Sequence, residues 1–257
     1  MNIMLKPTLM AIFFSFFAVH GSALADDVKS TAKAATESYE IQMDALVAKH
    51  EAFQIAIKDD ESFRKNWLTR LQLAAISKPK TAKTPNFVLS LGSEMMLDNI
   101  DPYLSRADDD TAIAFMGVLT KIFALSVENE SICKTFLDSA DDLAVSDTDN
   151  ERIESELGPV FYEEMIAVIG RVMRSGKTGP KNVLAKNESE RVITEMLGVM
   201  MEDYGVESVM KMQSLDDKSI PPIEKCTTMT QMLSSITKLK GTDQAGLIRT
   251  IFGAEKD

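Results

Sequence analysis

The chain has 257 residues, with 39 acidic side chains against 28 basic ones and a formal net charge of −11. That balance argues against nucleic-acid binding, because affinity for a polyanion comes largely from lysine and arginine neutralising phosphates. One tryptophan and four tyrosines leave sugar-stacking platforms poorly supplied.

The first 25 residues read as an export signal. Lys6 provides the positive start, Leu9 to Val19 an apolar run, and Ala23-Leu24-Ala25 the small residues a signal peptidase requires, with Asp26 and Asp27 following. The apolar run is short for a retained anchor, and no cysteine near the cleavage point offers a lipid attachment. Cleavage after Ala25 removes one base and no acid, taking the net charge from −11 to −12. The remaining residues, 26–257, are expected to form a single all-α domain, periplasmic or secreted, with no stable membrane span after processing.

Helical periodicity dominates the rest. Val28, Ala32, Ala35, Tyr39, Met43, Leu46, His50, Phe53 and Ile57 recur at steps of three and four, predicting one long helix with a continuous stripe. Asp60 or Ser62 caps a second helix carrying Phe63, Trp67, Leu68, Leu71 and Ile76. Ser77–Asn86, with two prolines, reads as an exposed loop. A short helical segment around Glu94–Leu104 leads into the most apolar stretch, Thr111–Leu137. Asp108, Asp109 and Asp110 supply its N-cap and favour the positive end of its dipole. Apolar residues on nearly all its faces predict a central helix surrounded by others. Asp138–Asn150 is acidic and turn-rich, and a helix near Glu151–Arg174 should bend at Gly158-Pro159. After a loop over Gly176–Asn187, three helices are expected at Ser189–Tyr204, Pro222–Lys238 and Thr242–Phe252. The fold expected is an irregular all-α multi-helix bundle of about eight helices around the central one.

Two cysteines, Cys133 and Cys226, stand 93 residues apart with no C-x-x-C spacing. In an oxidising compartment this even pair reads as one structural disulfide. Cys226, Met229 and Met232 are also spaced as a soft-metal site for Cu(I). Leu233, Ile236 and Leu239 continue the same apolar side, however, and methionine is a common core filler. No metal or cofactor is therefore assigned.

Several motifs imitate catalysis. Ser131-Ile-Cys-Lys134 and Lys177-Thr178-Gly179 resemble the S-x-x-K and K-T-G of the serine β-lactamase and penicillin-binding family. Ser146-Asp147-Thr148 departs from its S-D-N triplet, no strand is predicted to carry the K-T-G, and Ser235-Ile-Thr-Lys238 repeats the first motif elsewhere. Gly170 and Gly176 are wrongly spaced for a phosphate loop. The acids from Asp138 to Glu151 lack the glycine and final glutamate of a calcium loop. His50 is the only histidine beyond the signal.

Charge is distributed unevenly. Ser62–Ser93 holds six bases and no acid, including Lys78, Lys80 and Lys83; Met165–Asn187 again has no acid and carries Arg171, Arg174, Lys177 and Lys181. Converging, these islands would receive an anionic surface or partner; apart, they balance the chain's own acidic faces. The function expected is non-enzymatic: an exported binding protein, such as an immunity or inhibitor protein capping a basic toxin or enzyme, whose partner is another protein. The competing expectations are a metal- or carboxylate-dependent enzyme at the Lys177 loop and an envelope chaperone or assembly factor using the Val28–Ile57 stripe.

Overall fold

The computed structural model describes residues 27–77, 86–138, 147–215, 217 and 219–253. The expected signal peptide with its cleavage point, the residues Lys78, Lys80 and Lys83, and the middle of the acidic turn segment lie outside these. Every regular element among the described residues is a helix, and there are twelve rather than eight.

Extra helices arise where an apolar stripe continues across a backbone break. The expected 28–57 helix divides into α1 (Asp27–Lys49) and α2 (Glu51–Asp59), because His50 is extended at φ −120°, ψ 118°. The predicted second helix is found as α3 (Phe63–Ser77). In place of one short segment stand α4 (Phe87–Leu97) and the single turn α5 (Asp101–Leu104). The stretch read as one helix from Thr111 to Leu137 divides at Asn129 (φ −141°, ψ 104°) into α6 (Asp109–Glu128) and α7 (Glu130–Asp138). Asp108 caps α6 as expected, its carboxylate accepting the Thr111 amide at 2.9 Å.

The bent helix is longer at both ends than its sequence pattern indicated. Helix α8 (Asp147–Thr178) is interrupted at Gly158, whose φ of 68° is open to glycine and strained for other residues. Then come α9 (Lys186–Tyr204), the unforeseen α10 (Val206–Gln213), α11 (Pro222–Lys238) and α12 (Gly241–Phe252).

Packing follows from which face each helix hides. The α6 helix buries Ala112, Phe115, Met116, Leu119 and Phe123 against α8, α11 and α12. On the other side α8 receives α2, α4 and α5, so the N-terminal helices rest on α8 and the C-terminal ones on α6. Phe53 stacks on Trp67 at 4.5 Å between ring centres, beneath Gly92, where a methyl group would stand 2.5 Å from the Trp67 ring. By length and composition α6 could cross a membrane, and half of its most apolar window is buried inside the protein.

A disulfide and a buried arginine join parts of the chain distant in sequence. Cys133 on α7 and Cys226 on α11 form a disulfide with Cα atoms 6.0 Å apart. Arg249 of α12 is only 2 % exposed, and its guanidinium donates to the Ala107 carbonyl at 2.9 Å, the Asn182 carbonyl at 2.7 Å and Asp109 at 2.8 Å. Three acceptors on a planar donor fork satisfy a charge that would otherwise be costly to bury.

Candidate functional site

Two bases of the second island, Arg174 and Lys177, face the protein's own acids. On α8, Arg174 pairs with Glu51 at 3.1 Å and Lys177 with Asp59, while Glu163 receives Lys49 at 2.6 Å. These ties bind α8 to the end of α1 and to α2, and exposed pairs of this kind stabilise by roughly 0 to 1 kcal/mol each. Arg171 is exposed, and Lys181 has polar interactions of its own. In the first island Arg64 reaches Asp44 at 2.7 Å and Arg70 reaches Asp98 at 3.6 Å.

Gly176 of the phosphate-loop lookalike and Gly179 of the K-T-G have a packing role. A methyl group on Gly176 would lie 2.0 Å from the Tyr103 carbonyl oxygen, and one on Gly179 2.2 Å from that of Arg106. Only hydrogen lets the end of α8 approach the backbone of α5 and the residues after it this closely. Lys177 and Thr178 accordingly belong to a helix end, and Lys134 of the S-x-x-K segment is paired with Glu130 at 2.8 Å.

A cleft of about 460 Å³ opens between the ends of α2 and α4, the turn α5 and α8. Asp59, Asp60, Asp98 and Asp101 line it, over a floor that includes Phe63, Met95, Met96 and Met173. Tyr103 donates its hydroxyl to Asp59 at 2.7 Å, and Asp60 accepts the Ser62 amide and hydroxyl at 2.8 and 2.7 Å. Hydrogen bonds from Lys177 and then Tyr103 hold the Asp59 carboxyl below its ordinary range. Burial, with the Asp59 bond second, pushes Tyr103 up to about 12. At pH 7 these shifts leave Asp59 ionised and Tyr103 as the neutral phenol, so the tyrosine hydroxyl donates to a charged carboxylate.

His50 lies at the α1–α2 break, its ring 10 % exposed and 3.4 Å from Glu163. Burial favours its neutral form, opposed by Glu163. No group of three or more His, Cys, Asp or Glu side chains among the described residues is arranged to hold a metal. Of the soft-metal candidates, Cys226 has its sulfur bonded to Cys133, and Met229 and Met232 are buried in the core.

The surface feature missed by sequence reading lies at the junction of α9 and α10. Met201 (50 % exposed), Tyr204 (37 %), Val206 (58 %) and Met210 (64 %) lie on either side of Gly205 in the chain. They are four of the seven large apolar side chains left exposed among the described residues. Helix α9 turns Val192, Met196 and Met200 inward at steps of four, which leaves Met201 off that stripe. Helix α10 turns Ser208 and Met212 inward, so Val206 and Met210, one turn apart, look outward. Gly205 makes the elbow with φ 85° and ψ 166°, and its amide donates to the Met201 carbonyl at 3.0 Å. Four acids flank the elbow, Glu195, Glu202, Asp203 and Glu207, and three of them are paired: Glu195 with Arg191 at 3.4 Å, Asp203 with Lys238 at 2.7 Å and Glu207 with Lys211 at 2.9 Å. Searches against protein-family models, curated proteins and solved structures find no match to this chain.

Proposed function

We propose that the chain is an exported, non-enzymatic binding protein whose acidic surface holds another protein, in the manner of an immunity or inhibitor protein capping a basic partner. The observation that carries this reading is the elbow at Met201–Met210, where four large apolar side chains are exposed close together in the chain and the flanking acids outnumber the bases. Soluble proteins rarely concentrate apolar surface in this way away from an interaction site. Export is supported by the N-terminal pattern and by the Cys133–Cys226 disulfide, which fits an oxidising compartment.

The test is chemical cross-linking of the tagged chain in its native cells, followed by isolation from the extracytoplasmic fraction. One basic protein joined to it in a fixed ratio is expected. A chain that remains inside the cell, or is exported and joined to nothing at several cross-linker lengths, would refute the reading.

A further inference from the structure

We propose that the α9–α10 elbow is the docking site and that its occupant is an amphipathic helix of the partner, with apolar anchors on one face and lysine or arginine beside them; this rests on the binding-protein reading above. Val206 and Met210 stand one turn apart on the outward side of α10 and form a short ridge. A ridge with this spacing fits between side chains at i, i+3, i+4 and i+7 of a second helix. Met201 and Met210 are unbranched thioethers that adapt to an irregular partner, and Tyr204 adds a stiffer anchor with a polar tip.

The border selects the occupant's charge. Glu202 and Glu207 are exposed beside the ridge, and Asp203 is exposed and joined to Lys238 at 2.7 Å. Glu207 shares Lys211 with Glu224, at 2.9 and 3.1 Å, so two carboxylates there are matched by one base. A second copy of the chain would bring the same acids against these, and an anionic bilayer surface would be repelled in the same way. A basic helix instead gains complementary charge around an apolar centre.

The test uses the processed, disulfide-bonded chain and a synthetic helical peptide with leucine at i, i+3, i+4 and i+7 and lysine on its other face. A second peptide carries glutamate for lysine. Binding is read by fluorescence anisotropy at two salt concentrations. The lysine peptide is expected to bind at least about tenfold more tightly than the glutamate one. The double variant Val206→Ser/Met210→Ser, which preserves charge, should weaken it by about tenfold or more, whereas Ile41→Ser on α1 should leave it unchanged. Glu202→Gln/Glu207→Gln should weaken binding and flatten its salt dependence. All these side chains are exposed, so melting curves matching the parent show that the variants fold. Equal binding of the two peptides, or unaltered affinity in the serine double variant, would overturn the proposal. So would concentration-dependent self-association abolished by that variant, which makes a second copy the occupant. A natural protein partner retained by the serine double variant would overturn the elbow as docking site while preserving the binding-protein reading; failure to take any protein partner would remove that reading itself.

Discussion

Removing the disulfide should cost this protein a large part of its stability. The perturbation is Cys133→Ala with Cys226→Ala, compared with reduction of the parent chain. The bridge spans 93 residues between α7 and α11. Releasing a loop of that size returns about 4.6 kcal/mol of conformational freedom to the unfolded chain in the chain-entropy model. Set against a typical total of about 5 to 15 kcal/mol, this leaves a chain that is folded but marginal. At roughly 2 to 4 °C per kcal/mol for a chain of this size, melting should fall by about 10 to 18 °C. Urea unfolding followed by circular dichroism provides the assay, and its slope should steepen because the unlinked chain exposes more surface. Both sulfurs are fully buried, so under native conditions a reductant should cleave the bond only as fast as the protein opens. A loss below about 1 kcal/mol, or a slope unchanged by the substitutions, would refute the reasoning that the bridge acts by restraining the unfolded chain.

Two further predictions concern single side chains. Gly176→Ala places a methyl group 2.0 Å from the Tyr103 carbonyl oxygen, and the resulting clash should destabilise by about 1 to 3 kcal/mol or more, outweighing the roughly 1 kcal/mol gain in helix propensity. Gly198→Ala, with nothing within 4 Å of the new methyl group, should instead stabilise by about 0.5 to 1 kcal/mol; chemical denaturation of the pair tests whether the two signs differ. His50, whose burial lowers its pKa in the folded state, adds stability that is complete above the unfolded histidine pKa of about 6.5 and lost as pH falls through the lower folded value. Melting between pH 7.5 and 5 should therefore show a decline that His50→Gln reduces, and parallel curves for parent and variant would contradict the assignment.

Much of the helical content was legible because it has local causes. Pro221-Pro222 and the apolar steps from Cys226 to Ile236 set the limits of α11, and Asp108 marked the start of α6. The breaks at His50 and Asn129 were not legible, since neither is a glycine or proline and an apolar pattern runs through both. Packing against α8 and α11 decides the chain's direction there, overriding local preference. The basic island on α8 was visible as charge, but its pairing with Glu51 and Asp59 depends on α2 folding back across it. The disulfide was inferred from compartment and cysteine number, and the fold brings its two helices together. Periodicity picks out what faces inward, whereas an exposed apolar patch exists because no other element covers it. For this reason Met201, Tyr204, Val206 and Met210 were passed over. The available signal was local: apolar residues off the inward stripe, gathered around a glycine and bordered by acids.

Native mass spectrometry of the chain released gently from the extracytoplasmic fraction tests the central claim most directly. The account predicts a chain beginning at Asp26, two hydrogens lighter than its reduced mass, in a complex of fixed ratio with a basic protein. An unprocessed chain, or a processed one that carries a small molecule or metal and no protein, would contradict it.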